Sequence, residues 1–188
     1  MIKIGITGSL ASGKSTFSKY LSENKHPLFN ADKAVKRLYK DKVFIKKLMI
    51  TFKLRNNKNI KKSIKNIIEK NNYKIRKLES LIHPRVRKEM KNLANKKINS
   101  KIVIFEIPLL IESKLMKFFD TIVFVEAPRI IRLSRYLKKG GNKRIFDILD
   151  KRQAKPEKKA RFSNVIIHNN KSLLILKKNA SKLLKKYE

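Results

Sequence analysis

The stretch most able to do chemistry is Gly8-Ser9-Leu10-Ala11-Ser12-Gly13-Lys14-Ser15. It satisfies G-x-x-x-x-G-K-[ST], the pattern of a loop that wraps the phosphates of a nucleoside triphosphate. Glycines at 8 and 13 let the chain curl so that backbone N–H groups face the phosphates, and a following helix adds positive potential. Lys14 is placed to reach the β- and γ-phosphates, and the Ser15 hydroxyl to ligate Mg²⁺. The motif specifies a ligand and not a reaction.

A phosphoryl transferase also needs a group that orients or deprotonates its acceptor, and cations that neutralise the moving phosphoryl group. Asp32 follows the second expected strand, on the side where a phosphate loop opens. It reads equally as a general base or as the N-cap of a helix beginning near Lys33. Glu106 ends the third expected strand. It is read as a carboxylate near Mg²⁺ or its water shell, or as a cap on a loop. Arg135 is the candidate catalytic cation, with Arg132 the alternative; either reads equally as part of a solvated helix face, and spacing does not choose between them.

These residues require elements to hold them. Ile2, Ile4 and Ile6 predict a short buried strand, and Phe17, Tyr20 and Leu21 give Lys14–Glu23 one apolar helical face. Pro27–Asn30 reads as a second strand. From Ala34 to about Lys97 the apolar residues recur at helical spacing, with the 55–59 tract Arg-Asn-Asn-Lys-Asn as the best loop signal. Taken alone, His83 before Pro84 reads as a helix-terminating surface residue. Ile102–Phe105 and Thr121–Val125 are continuous apolar runs, as in buried parallel strands. Arg129 to about Lys139 and Ile145–Arg152 predict helices around the Gly140-Gly141 break, with a strand at Val165–Ile167 and a helix at Leu173–Leu184. Strand–helix alternation around a helical middle predicts an α/β fold: a parallel-sheet P-loop core flanked by helices, with a helical insertion.

Composition narrows the function classes. With 188 residues and a hydrophobic fraction of 41%, the chain can bury a core without a staple. The absence of cysteine excludes disulfide frameworks, thiolate metal sites and cysteine nucleophiles. Forty-nine Lys and Arg against 14 Asp and Glu give a formal net charge of +35. Such an excess suits anions. The 38 Lys and 11 Arg are nevertheless spread along nearly the whole chain, and Lys, Asn and Ile, all with AT-rich codons, are abundant together. No aromatic-interleaved basic platform or recognition-helix signature marks a specific nucleic-acid binder. No apolar run reaches membrane-span length, and the opening residues carry too short an apolar stretch for a secretory leader. The expectation is a cytoplasmic protein, with no membrane, specific nucleic acid or protein partner implied.

Gly8 to Thr16, Ala31-Asp32, Leu81-Ile82-His83-Pro84, Pro108-Leu109-Leu110-Ile111-Glu112, and Asp120 with the Ile122–Val125 strand together resemble the dephospho-coenzyme A kinase family. The tail Gln153-Ala154-Lys155-Pro156-Glu157-Lys158, followed by Val165-Ile166-Ile167-His168-Asn169, is similar to that family's C-terminal pattern. The resemblance implies ATP-dependent phosphorylation of the ribose 3′-hydroxyl of dephospho-coenzyme A, with Mg²⁺. It implies that Gly8, Ala11, Ser12, Gly13, Lys14, Ser15 and Thr16 hold ATP and that Asp32 is the catalytic base. His83, Pro84, Leu109 and Glu112 would lie on the acceptor side, and Ser15 and Glu106 at the metal. The implied organisation is a core of 1–33, 98–128 and 153–188, a coenzyme-A-binding insertion at 34–97, and a small helical lid at 129–152. The chain departs from the family pattern at Ser9 and Ala11, where glycines are usual, at Asn30 and Glu106, where aspartates are usual, and at Ser163-Asn164, where Ala-Asp is usual. Another small-molecule P-loop kinase, a basic nucleic-acid binder and a non-catalytic ATP-binding module are the competing readings.

Overall fold

Alternating Ile2, Ile4 and Ile6 lie along β1 (Ile2–Gly8), the central strand of the sheet. The computed structural model describes residues 1–23, 25–54, 59–69, 72–96 and 100–187. Four further strands join β1: β2 (Leu28–Asn30), β3 (Ile102–Glu106), β4 (Thr121–Glu126) and β5 (Val165–His168). All neighbours pair in parallel, in the order β2-β3-β1-β4-β5. Every residue of β3 is buried, which explains its unbroken apolar run: a parallel strand is covered on both faces.

The chain divides into two compact units, Met1–Asn30 with Lys97–Glu188, and Ala31–Lys96. In the first, Ile4, Ile6, Ile104 and Val123 on one sheet face pack with Phe17 and Leu21 of α1 (Lys14–Ser22). The C-terminal helix, here α9 (Leu173–Leu184), adds Leu176, Ala180 and Leu183 to the same cluster. Each such large side chain contributes about 1.5–3 kcal/mol on leaving water. Phe105 points to the other face, where its ring meets those of Phe118 and Phe119 at 5.6 Å each.

The remaining helices of this unit are α6 (Arg129–Lys138), α7 (Lys143–Lys151) and α8 (Pro156–Arg161). Tyr136 and Phe146 pack α6 on α7, and Arg129 pairs with Asp147. Asp120, a residue of the family-like pattern, and Asn164, a departure from it, lie at the entrances to β4 and β5. Asp120 accepts the N–H of Lys3 at 2.7 Å, and Asn164 Oδ1 accepts that of Ile122 at 2.8 Å. Asn164 thus keeps the oxygen acceptor that an aspartate would have offered.

The second unit is helical: α2 (Ala31–Leu38), α3 (Lys42–Phe52), α4 (Ile60–Glu69) and α5 (Asn72–Asn95). Leu38, Phe44, Leu48, Ile60, Ile64 and Ile82 form its core. Asp41 caps α3 by accepting from Val43 and Phe44, and Arg85 of α5 pairs with the same carboxylate at 3.3 Å. The unit begins at Ala31 rather than at residue 34, because α2 starts there directly after β2. Of the expected 55–59 loop, residues 55–58 lie outside the described residues. Pro84 does not end a helix. It sits inside α5, where it removes one backbone hydrogen bond at a cost of about 3 kcal/mol. Burial of Ile82 and Met90 on either side offsets that cost and carries the helix through. Among the described residues no helix is long and apolar enough to cross a membrane.

Candidate active site

Because all five strands run parallel, their last residues share one edge of the sheet: Gly8, Asn30, Glu106, Glu126 and His168. The strand order reverses about β1, with β3 and β2 on one side and β4 and β5 on the other. Ligands of open α/β sheets bind in the crevice at such a switch point. The phosphate loop leaves β1 there.

The loop's shape is fixed by close contacts. A Cβ on Gly8 would fall 2.5 Å from Ser12 Oγ and 2.7 Å from the carbonyl of Val125. Gly13 has φ +93°, and a Cβ there would fall 2.1 Å from Asn169 Nδ2. Both positions exclude a side chain. Ala11 adopts φ +58°, a left-handed conformation that costs a residue with a Cβ roughly 1–2 kcal/mol. It occupies the position where glycine is usual, so the residue type departs from the pattern while the backbone retains a glycine-like turn.

The amide of Ser12 donates to Ser9 O at 3.1 Å, and those of Thr16 and Phe17 to Gly13 O at 3.1 and 3.0 Å. The Ser12 hydroxyl is buried and has no partner among the described residues. Ser12, expected to hold the nucleotide, lies within the loop with its hydroxyl turned inward. Its side chain is packed against Gly8 and its amide serves the loop itself, so it shapes the cradle. Lys14 and Ser15 open α1, where amides have no acceptor in a preceding turn and the helix dipole favours an anion.

Ser15 also reaches across to β3. Its hydroxyl donates to Glu106 Oε1, while Asn30 Nδ2 donates to Glu106 Oε2. Glu106 is 2% exposed. A hydroxyl and a carboxylate are hard oxygen donors of the kind Mg²⁺ takes, so this pair fits the expected metal.

The two candidate arginines have different tasks. Arg132 is buried, forms a two-armed pair with Asp150, and donates through Nε to Ala127 O at 3.1 Å. Its charge is thus paired within the protein. Arg135 instead donates to Ser12 O at 3.4 Å and to Asn169 O at 3.0 Å. These partners are carbonyls, which leave its positive charge uncancelled beside the phosphate loop. Burial lowers its pKa from the usual arginine range.

Leu109 is partly exposed, in the turn after β3, and Glu112 follows with 21% of its side chain exposed. Its Oε1 pairs with Lys159 at 3.1 Å and accepts the N–H of Ala154 at 2.8 Å, while Oε2 is buried. Lys159 is fully buried and also donates to Pro108 O at 3.2 Å. Burial lowers its pKa, against the opposing pull of Glu112. This pair ties α8 to the 108–112 turn.

The other sequence candidates belong to the helical unit. Asp32 is exposed in the first turn of α2, inside the helix rather than at the cap position before it. His83 and Pro84 lie midway along α5, on which α2 packs. His83 is half-buried. Its pKa is lowered by burial, with Glu79 opposing and Arg87 adding to the shift.

Two contributors to the loop, Asn169 and Gln153, had no role assigned from the sequence. Asn169 is 3% exposed and donates to Ser12 O at 2.8 Å, and Gln153 accepts the N–H of Leu10 at 2.9 Å. Their presence in the C-terminal pattern was the only sequence signal.

Comparison with known proteins identifies the family and the fold. The family model described as dephospho-CoA kinase matches residues 2–174. A dephospho-CoA kinase of Fusobacterium nucleatum is 37% identical over 175 residues, covering 90% of each chain. A solved structure from Thermus thermophilus superposes with a TM-score of 0.86 at 25% identity, covering 100% of this chain and 98% of that one. The dephospho-CoA kinase of Campylobacter jejuni has the same fold, with a TM-score of 0.68 at 23% identity, over 98% and 96% of the two chains. With a P-loop kinase core and a family match along nearly its whole length, the chain belongs to the dephospho-CoA kinase family.

Proposed function

We propose that the protein transfers the γ-phosphoryl group of ATP to the 3′-hydroxyl of dephospho-coenzyme A, the last step of coenzyme A synthesis, with the following division of labour. The observation that carries this reading is the contact between Ser15 of the phosphate loop and Glu106 at the end of β3. It brings the loop that holds a triphosphate to the carboxylate that would share its metal.

Gly8, Gly13 and the left-handed Ala11 shape the loop, and the amides at the start of α1 receive the phosphates. Lys14 acts as a point charge on the transferred group, and Arg135 supplies a second cation from α6. Ser15 and Glu106 would hold Mg²⁺, which would supply positive charge to offset that of the phosphates. Asp32, two residues beyond the strand end at Asn30, takes the proton of the acceptor hydroxyl. His83 and Pro84 of α5 and Leu109 of the turn after β3 contribute to the acceptor side. The α6–α7 segment, 129–152, acts as the lid that excludes water as the cationic site assembles. A cytoplasmic setting, where ATP and magnesium are both at hand, suits this chemistry.

The test is a coupled measurement of ADP and coenzyme A from ATP and dephospho-coenzyme A, with Lys14→Ala as the control. Equal formation of both products, dependent on the 3′-hydroxyl and abolished in a folded Lys14→Ala protein, is expected. ATP consumption that ignores dephospho-coenzyme A, or normal turnover without the Lys14 charge, would overturn the reading.

A further inference from the structure

The linker between α7 and α8 touches the phosphate loop through one side chain. Gln153 Oε1 accepts the N–H of Leu10 at 2.9 Å, and Arg132 Nη1 donates to the Leu10 carbonyl at 3.4 Å. Two residues later, the Ser12 carbonyl accepts from Asn169 Nδ2 at 2.8 Å and Arg135 Nη1 at 3.4 Å. Ala11 lies between these two anchored residues, at φ +58°. A side-chain-bearing residue stays in that region only where its surroundings over-determine it.

Gln153 is itself held firmly. Its own N–H donates to Asp150 O at 3.1 Å. The next residue, Ala154, donates to Glu112 Oε1 at 2.8 Å, and Glu112 is paired with the fully buried Lys159. A four-residue connection thus fastens the phosphate loop through Gln153 and the turn after β3 through Ala154. The Gln153 amide oxygen carries no formal charge, so it can fix the peptide of Leu10 without repelling a bound triphosphate.

We propose that Gln153 is a positioning residue for the phosphoryl-donor site: by holding the Leu10 peptide it keeps Ala11 left-handed and the loop amides in place for phosphate. The inference rests on the reading of the loop as the ATP site. Gln153 acts through the backbone of Leu10 and does not itself touch the reacting atoms. The strain at Ala11 makes the anchor necessary; a glycine there would hold the same turn with little help.

The experiment compares wild type, Gln153→Met, Ala11→Gly and the double variant, measuring ATP affinity by calorimetry and steady-state constants for both substrates. Gln153→Met keeps the side-chain length but removes the acceptor, leaving the Leu10 N–H unsatisfied. A loss of about tenfold in ATP affinity is expected, matched in KM for ATP. The KM for dephospho-coenzyme A should stay within about twofold, since the effect is local to the donor loop. In the Ala11→Gly background the same change should cost only about threefold, because the turn no longer stores strain. A purely structural role would lower melting temperature without this selectivity or this rescue.

Unchanged ATP affinity in Gln153→Met, equal losses for both substrates, or the same loss in both backgrounds would each overturn the proposal. Should Gln153→Met fail to fold, Gln153→Asn, one methylene too short to reach Leu10, carries the same comparison. If wild type itself fails to bind ATP, the reading of the loop falls and the proposal with it. If wild type binds and the variants do not differ, the proposal alone falls.

Discussion

Asn30 and Glu106 stand opposite one another at the ends of β2 and β3, and the amide of one donates to the carboxylate of the other. Both positions depart from the pattern that the sequence otherwise resembles, in which aspartates are usual. The two departures meet in space. An amide beside a longer acid gives one donor and one acceptor where two carboxylates would face each other across adjacent strands. Glu106 is thereby aimed at Ser15 with both oxygens engaged.

Asn30→Asp should therefore destabilise the protein by about 1–3 kcal/mol in the absence of magnesium, since it removes a half-buried donor and adds a like charge. Magnesium with ATP should narrow the difference, because a divalent cation neutralises both acids. Thermal melts with and without the metal–nucleotide complex check this. Identical melting of variant and wild type in chelator would show that the Asn30 contact carries no stability.

Asp32→Asn should bind ATP nearly normally and lose about 10²–10⁴-fold in kcat, the usual contribution of a general base. The exposed position in the first turn of α2 favours negative charge, so the neutral amide should cost no more than about 1 kcal/mol of stability. Single-turnover assays beside direct ATP binding separate the two effects. A normal rate would move the search for the base to Glu106.

Arg132 and Arg135 are three residues apart on α6, yet their replacement should have opposite signatures. Arg132→Ala leaves Asp150 half of a broken, largely buried pair and should cost about 3–5 kcal/mol of stability. Arg135→Ala loses only bonds to carbonyls, so its main effect should be a fall in kcat of about 10²-fold or more. Denaturant midpoints and turnover measured on both variants decide the matter. A stable but inactive Arg132→Ala protein would reverse the assignment.

His83 supplies a pH prediction. Burial lowers its folded pKa below the ordinary 6.5, with Arg87 adding to the shift and Glu79 opposing it. Between the folded value and 6.5 the unfolded chain binds more protons than the folded one, so stability falls as pH falls through that window. The loss levels off once both states are protonated. Nuclear magnetic resonance should place the imidazole midpoint below 6.5, and His83→Asn should lose less stability than wild type on acidification. A midpoint at or above 6.5 would contradict the placement of His83 against α5's neighbours.

The phosphate loop, the parallel strands and the helical middle were legible in the sequence because each rests on local rules. A loop motif needs fixed spacing, a buried parallel strand needs an unbroken apolar run, and an amphipathic helix repeats every three to four residues. Lys14, Ser15 and Glu106 could be picked out because their chemistry attaches to a motif or a strand end. What distinguishes Arg132 from Arg135 is not local. Both are arginines on the same helix, and only the position of Asp150 against one and the carbonyls of Ser12 and Asn169 against the other separates them. Glu112 likewise gains its ion pair only because folding brings Lys159 to it from 47 residues away. Pro84 marked a helix end by propensity, and packing of Ile82 and Met90 overrode it. Gln153 and Asn169 were silent for the same reason: an amide side chain has no characteristic chemistry until the tertiary structure delivers it, across more than 140 residues, to the backbone it must hold.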